Sequence, residues 1–172
     1  MKWPNRDERE QFEIDGFIEA YERLPESRRL VVVSKSEKPD WIVADAVTRE
    51  EFGVELTSVY LDDRSVPDKH MNWGKDEQTR NIPYSKETMC QYNARIISAI
   101  EDKIRKARAG YDTTRPLILS IYPNEYIGIY LGEEELETLV KDNEALFDNM
   151  APFSEIVFWA LGNGAIFRVR PS

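Results

Sequence analysis

Two acidic residues stand out because each sits in or beside a short apolar, β-branched run that is typical of a strand. Asp40 precedes the run at 41–44, and Glu55 lies within the run at 52–60. If the polar link between these strands turns near residues 47–49, antiparallel pairing places Asp40 opposite residues 54–58. Two neighbouring carboxylates repel one another, and the usual remedies are a shared proton or a divalent cation. Oxygen ligands with open positions suit Mg²⁺ or Mn²⁺, so the pair predicts a metal site.

The remaining pattern predicts an α/β fold whose elements follow the order α-β-β-β-α-β-α-β-β. Pro25 ends the first helical pattern, and the first three strands are joined by short links, so we expect them to form an antiparallel meander. The run at 116–123 is apolar on both faces, which is typical of a strand in the middle of a sandwich. The predicted helices cover 6–24, 85–109 and 133–149, and the predicted strands cover 30–33, 41–44, 52–60, 116–123, 156–161 and 165–170.

The longest predicted helix begins after Ser85 as N-cap and is closed by Gly110. Its apolar stripe also contains two polar residues, Asn93 and Lys103. Polar groups on a buried helix face need partners, and an active site is one way to provide them.

The acidic pair and its setting resemble the core motif of the PD-(D/E)XK, or restriction-endonuclease-like, nucleases. The similar residues are Pro39-Asp40, fourteen intervening residues, and then Glu55-Leu56-Thr57. Members of that superfamily share an αβββαβ core, which is the order predicted above. The resemblance therefore implies a three-layer restriction-endonuclease-like fold with a mixed sheet, extended by a C-terminal helix and β-hairpin. It also implies that Asp40 and Glu55 bind the catalytic metal.

The sequence departs from that motif at Thr57. The superfamily places a lysine there, two positions after the glutamate, to align and activate the attacking water. A threonine hydroxyl can hold a water but cannot supply the charge of an ammonium group. Some members carry the lysine on the following helix, and Lys103 is the candidate here, with Lys106 a weaker one.

First-helix acids complete the metal site in some members of the superfamily. Glu10 and Glu13 lie nearest the apolar face of that helix, and either is a candidate. The resemblance therefore implies a metal set of Asp40, Glu55 and Glu13, with Glu10 left open as the alternative. The predicted catalytic set is Asp40, Glu55, Lys103 and Thr57, with Asn93 in support.

Charge limits the partners that this protein can have. The chain has 23 Lys and Arg against 32 Asp and Glu, a formal net charge of −9. Unselective nucleic-acid binders are usually basic, so binding to nucleic acid would need a local basic patch, a bound cation or a basic protein partner. The candidate patches are Arg28/Arg29, the basic residues of 103–108, and Arg168/Arg170, although solvated surface charge is the commoner explanation of such runs. A homodimer is left open.

Length and cysteine content set the remaining expectations. A chain of 172 residues with one cysteine fits a single domain at 1–172 that needs no disulfide. The N-terminus has no apolar signal-peptide run and no window is long enough to span a bilayer, so we expect a cytoplasmic protein. One Cys and one His also exclude a structural zinc cluster.

Two functions remain open at this stage. The first is a Mg²⁺- or Mn²⁺-dependent nuclease that hydrolyses phosphodiester bonds. The second is a catalytically inactive domain of the same fold that binds a basic protein through its acidic surface. The polar stretch 61–84 contains the only histidine, His70, and is either a functional arm or a tolerated surface insertion.

Overall fold

The computed structural model describes residues 5–60, 85–123, 131–160 and 164–171. The predicted arm at 61–84 and most of the predicted hairpin turn at 162–164 therefore lie outside the described residues. The elements are α1 (Arg6–Tyr21), β1 (Leu30–Lys35), β2 (Trp41–Asp45), β3 (Glu51–Val59), α2 (Lys86–Gly110), β4 (Leu117–Pro123), α3 (Glu133–Asp142), α4 (Glu144–Asp148), β5 (Phe153–Trp159) and β6 (Ile166–Val169). None of the helices in these ranges is long and apolar enough to cross a membrane.

All six strands form one mixed sheet in the order β1-β2-β3-β4-β5-β6. The first three strands are antiparallel, β4 is parallel to both β3 and β5, and β6 returns antiparallel to β5. The parallel pairing of β3 with β4 requires a crossover, and α2 lies within that connection. The predicted element order, the antiparallel meander and the three-layer α/β architecture are confirmed.

Strand β3 separates two apolar cores because its side chains alternate between the faces of the sheet. Phe52, Val54 and Leu56 pack in one core with the buried residues of α1. On the other face, Val59 packs in a second core with the buried stripe of α2. Glu55 lies on the α2 face by the same alternation. The sheet therefore holds Glu55 against α2, the helix that carries Lys103.

The predicted helix over 133–149 is wrong in one respect, because the chain forms two shorter helices that break at Asn143. The side-chain amide of Asn143 donates to the Leu139 carbonyl at 2.8 Å, and its backbone N–H donates to Val140. The side chain thus takes the acceptor that a continuing helix would use. Smaller differences are that α1 ends at Tyr21 and that Gly110 is the last residue of α2.

Candidate active site

The β2–β3 hairpin places Asp40 beside Glu55. Pairing between the strands reaches Trp41 opposite Val54, and β3 continues past it as far as Val59. Just beyond the paired region, the Leu56 N–H donates to Asp40 Oδ2 at 2.8 Å. The Asp40 carboxylate therefore accepts the hydrogen bond that a backbone carbonyl of a neighbouring strand would otherwise accept. In this register Asp40 lies beside the strand that carries Glu55, as the sequence predicted.

Glycine at position 53 allows the chain before Asp40 to approach β3 closely. A Cβ at Gly53 would lie 2.5 Å from Pro39 Cγ and 2.7 Å from Leu117 Cδ2. Any side chain here would therefore push Pro39 away from the strand. Since Asp40 follows Pro39 directly, the absence of a side chain at Gly53 helps to place the Asp40 carboxylate.

The Glu55 side chain is 3% exposed and uses its two carboxylate oxygens differently. Lys103 Nζ lies 2.5 Å from Oε1, and the Tyr111 hydroxyl donates to the same oxygen at 2.6 Å. Oε2 is fully buried and has no hydrogen-bond partner among the described residues. Buried carboxylate oxygens are normally paired, so Oε2 has hydrogen-bonding capacity that the described residues leave unused.

Lys103 reaches the site from α2, where its place in the apolar stripe put it on the buried face. Its ammonium group donates to the Leu56 carbonyl at 3.2 Å as well as to Glu55. Lys106, the weaker sequence candidate, pairs instead with Asp102 at 2.6 Å and is 52% exposed. Of the two lysines, only Lys103 contacts the acidic pair.

The electrostatics of Asp40 reflect its crowded position. Burial and the nearby charge of Glu55 raise the pKa of Asp40 to about 6, against the opposing effects of the Leu56 N–H and the Lys103 ammonium group. Burial and its hydrogen bond to Glu55 also raise the pKa of Tyr111 above its usual value, so this hydroxyl stays a donor at neutral pH. The two carboxylates are therefore close enough to repel one another, and a cation bound between them would relieve that repulsion.

The two first-helix acids have other partners. Glu10 Oε2 lies 2.6 Å from Lys35 Nζ, and its Oε1 lies 2.6 Å from Arg6. Glu13 accepts a hydrogen bond from the Ser58 hydroxyl at 2.5 Å, and burial raises its pKa. Ser58 lies on the opposite face of β3 from Glu55 by strand alternation. Their partners in the described ranges are therefore Arg6, Lys35 and Ser58, and their role as metal ligands stays a prediction.

Thr57 and Asn93 are placed differently with respect to Glu55. Thr57 lies two residues along β3 and so on the same face, and its hydroxyl is buried without a partner among the residues that the structure describes. Asn93 precedes Lys103 by ten residues of α2, about 15 Å along the helix. It lines a separate surface cavity with Met89 and Glu134. The structure therefore brings Thr57 to the site and leaves Asn93 apart.

Tyr111 is the residue that sequence reasoning missed. It follows α2 in an irregular segment, where no periodic pattern points to a face. The signal that could have pointed to Tyr111 was the order of the strands in the sheet. Strand β4 begins with Leu117 opposite Gly53, so the connection from α2 to β4 must reach β3 near its first residues, two positions before Glu55.

The predicted basic patches are largely occupied by internal partners. The contacts are Arg28 to Glu50, Arg29 to Glu22, Arg105 and Lys106 to Asp102, Arg108 to the Asn149 and Ala151 carbonyls, Arg168 to the Pro25 carbonyl, and Arg170 to Glu155. The carboxylate partners reduce the net positive charge of these patches, and the carbonyl partners use some of their hydrogen-bond donors.

Comparisons with known proteins give a structural similarity but no family. No family model matches the sequence, and no curated protein matches it either. Among solved structures, the chain is similar to SfsA from Pyrococcus furiosus in complex with Ca²⁺, with a TM-score of 0.36 and 15% identity. The similarity covers 95% of this chain and 64% of that one. At this level of similarity no site is transferred, so the functional argument rests on the geometry above.

The residues present suit a hard divalent cation held mainly by water. Within the described ranges, no group of three or more His, Cys, Asp or Glu side chains is arranged to hold a metal. Mg²⁺ commonly needs only one or two carboxylates and keeps several waters. The buried free oxygen of Glu55 and the adjacent carboxylate of Asp40 fit that kind of site.

Proposed function

We propose that this protein is a divalent-metal-dependent phosphodiesterase that acts on nucleic acid. The observation that carries the proposal is the contact between Lys103 Nζ and Glu55 Oε1, beside Asp40. A lysine on a separate helix supplies the ammonium group that Thr57 cannot supply from β3. Two carboxylates that can hold a cation, with an ammonium group beside them, are suited to metal-assisted phosphodiester hydrolysis.

Each of these side chains has a defined role in the proposal. Asp40 and Glu55 would hold Mg²⁺ or Mn²⁺, which supplies charge neutralisation at the phosphate and acidifies a water. Lys103 has three N–H donors. Two of them are used by Glu55 and the Leu56 carbonyl, so the third remains to bind a water or a phosphate oxygen. The buried Thr57 hydroxyl lies on the same strand face and is a second site for a water.

Substrate binding must also overcome the charge of the protein. The net charge is −9, and the basic clusters are mostly engaged with carboxylates and carbonyls. Phosphate contacts by Lys and Arg normally supply most of the affinity for nucleic acid. We therefore expect weak binding to nucleic acid in chelator and measurable binding only with divalent cation.

Cleavage assays test this proposal. Labelled single-stranded DNA, duplex DNA and single-stranded RNA are incubated with the protein in Mg²⁺, Mn²⁺ or EDTA. We expect metal-dependent cleavage by the wild type and a loss of about 10²-fold or more in Glu55→Gln and Lys103→Met. Two matched controls are Glu50→Gln, in the β2–β3 connection and paired with Arg28, and Lys106→Met, on the same helix but paired with Asp102. Both should keep wild-type activity.

Two outcomes would refute the proposal. Equal cleavage by the wild type and Glu55→Gln would show that the activity arises elsewhere. No cleavage of any substrate with either metal would instead favour the inactive alternative, in which the acidic surface binds a basic protein.

A further inference from the structure

We infer that Tyr111 is a positioning residue that determines which oxygen of Glu55 is available to the metal. This inference rests on the proposed function and adds a residue outside the acidic pair and the lysine. Tyr111 and Lys103 donate to the same oxygen, Oε1, at 2.6 and 2.5 Å. The other oxygen, Oε2, is buried and has no partner in the described ranges.

A carboxylate oxygen can accept only a limited number of hydrogen bonds. Each oxygen has about two lone-pair positions, so two donors saturate Oε1. A cation could reach that oxygen only by displacing Lys103 or Tyr111. Oε2 keeps both of its lone-pair positions and is the oxygen that can bind a cation without breaking a hydrogen bond. With Tyr111 in place, Lys103 is held to one side of the carboxylate.

The hydroxyl of Tyr111 is held in place by the structure around it. The backbone N–H of Tyr111 caps the C-terminal end of α2 by donating to the Ala107 carbonyl at 3.1 Å. The next residue, Asp112, accepts from Thr114 N and from Arg115, and Arg115 also binds Glu51 on β3 at 2.7 Å. The segment after α2 is thus fixed to the strand that carries Glu55. A donor held in this way orients a metal-binding side chain before the metal arrives.

Loss of the hydroxyl has a specific consequence. In Tyr111→Phe, Lys103 becomes the one described side chain that donates to Glu55, and its flexible ammonium group can move between the two oxygens. It then competes with the cation for Oε2. Removal of a group that orients a metal ligand typically weakens metal affinity by about 10–100-fold.

The experiment is a calorimetric titration of the metal-free protein with Mn²⁺. It compares the wild type, Tyr111→Phe and the matched control Tyr92→Phe. Tyr92 is also on α2, and its buried hydroxyl donates to the Val59 carbonyl on β3 at 3.2 Å, away from Glu55. We expect Tyr111→Phe to bind Mn²⁺ about 10–100-fold more weakly and Tyr92→Phe to bind it as the wild type does. Melting curves in EDTA measure how much each change destabilises the fold.

A turnover measurement adds a second readout. At saturating Mn²⁺ the cleavage rate of Tyr111→Phe should return to within a few-fold of the wild type, since the residue acts on affinity. Lys103→Met should stay slow at the same Mn²⁺ concentration.

The outcomes separate this inference from the function on which it rests. If the wild type binds Mn²⁺ and cleaves nucleic acid while Tyr111→Phe binds Mn²⁺ equally well, the inference alone is overturned. An equal loss of affinity in both tyrosine variants would also overturn it, because general loosening would explain the result. If the wild type does not bind Mn²⁺, the proposed function and the inference both fail.

Discussion

Replacing Lys103 with methionine should destabilise the protein far more than replacing the lysine three positions later. Methionine keeps most of the side-chain volume but leaves Glu55, which is 3% exposed, with Tyr111 as its remaining described side-chain donor. Breaking a buried ion pair by removing one partner costs about 3–5 kcal/mol. Lys103 itself is 21% exposed, and screening by solvent reduces this to about 3 kcal/mol. For a chain of this size, that loss lowers Tm by about 6–12 °C.

Urea denaturation in EDTA measures this difference, with Lys106→Met as the matched control. Lys106 pairs with Asp102 on the exposed side of α2, so its loss should cost at most about 1 kcal/mol. Adding Glu55→Gln to Lys103→Met should recover much of the stability, since the uncompensated charge is then absent. Equal losses in Lys103→Met and Lys106→Met would refute the reasoning, because Lys103 would then not be compensating Glu55.

Two further predictions concern other parts of the fold. Gly53→Ala should lower the unfolding free energy by about 1–3 kcal/mol and weaken Mn²⁺ binding, because the new Cβ would lie 2.5 Å from Pro39 Cγ. Urea denaturation measures the first effect and calorimetry measures the second. An unchanged Mn²⁺ affinity would contradict the role given to Gly53 in placing Asp40. The second concerns Tyr21, whose pKa is raised to about 12 by burial and by its 2.5 Å hydrogen bond to Glu155. The stability linked to this shift, about 2–3 kcal/mol, should be fully present below about pH 10 and lost as pH rises towards 12. An ultraviolet titration of the wild type minus Tyr21→Phe measures the pKa directly, and a value near 10 would contradict the prediction.

The parts of the site that could be predicted are those set by the regular spacing of side chains along a strand or a helix. Strand alternation and hairpin register bring Asp40 close to Glu55, and helical periodicity puts Lys103 on the inner side of α2. These inferences use only local spacing, which is written directly in the sequence. The element order and the layered α/β architecture follow from the same periods.

The parts that escaped prediction depend on contacts between distant segments. Tyr111 lies in an irregular connection, and only the parallel pairing of β4 with β3 brings it to Glu55. The pairing of Glu13 with Ser58 depends on how α1 crosses the sheet. The break at Asn143 depends on one side-chain hydrogen bond that competes with the helix. Periodicity carries no information about any of these.

The hydrogen bond from the Leu56 N–H to Asp40 has a consequence for the evolution of the protein. Asp40 closes the open backbone edge of β3, so natural selection for folding alone would retain an acceptor at this position in active and inactive relatives alike. Glu55 differs, because its Oε2 supports no hydrogen bond among the described residues and its Oε1 is tied to Lys103 and Tyr111. In a lineage that had lost catalysis, Glu55 and Lys103 would therefore be replaced together by an uncharged pair while Asp40 stayed, and the joint persistence of this glutamate and lysine is the better sequence marker of a working site.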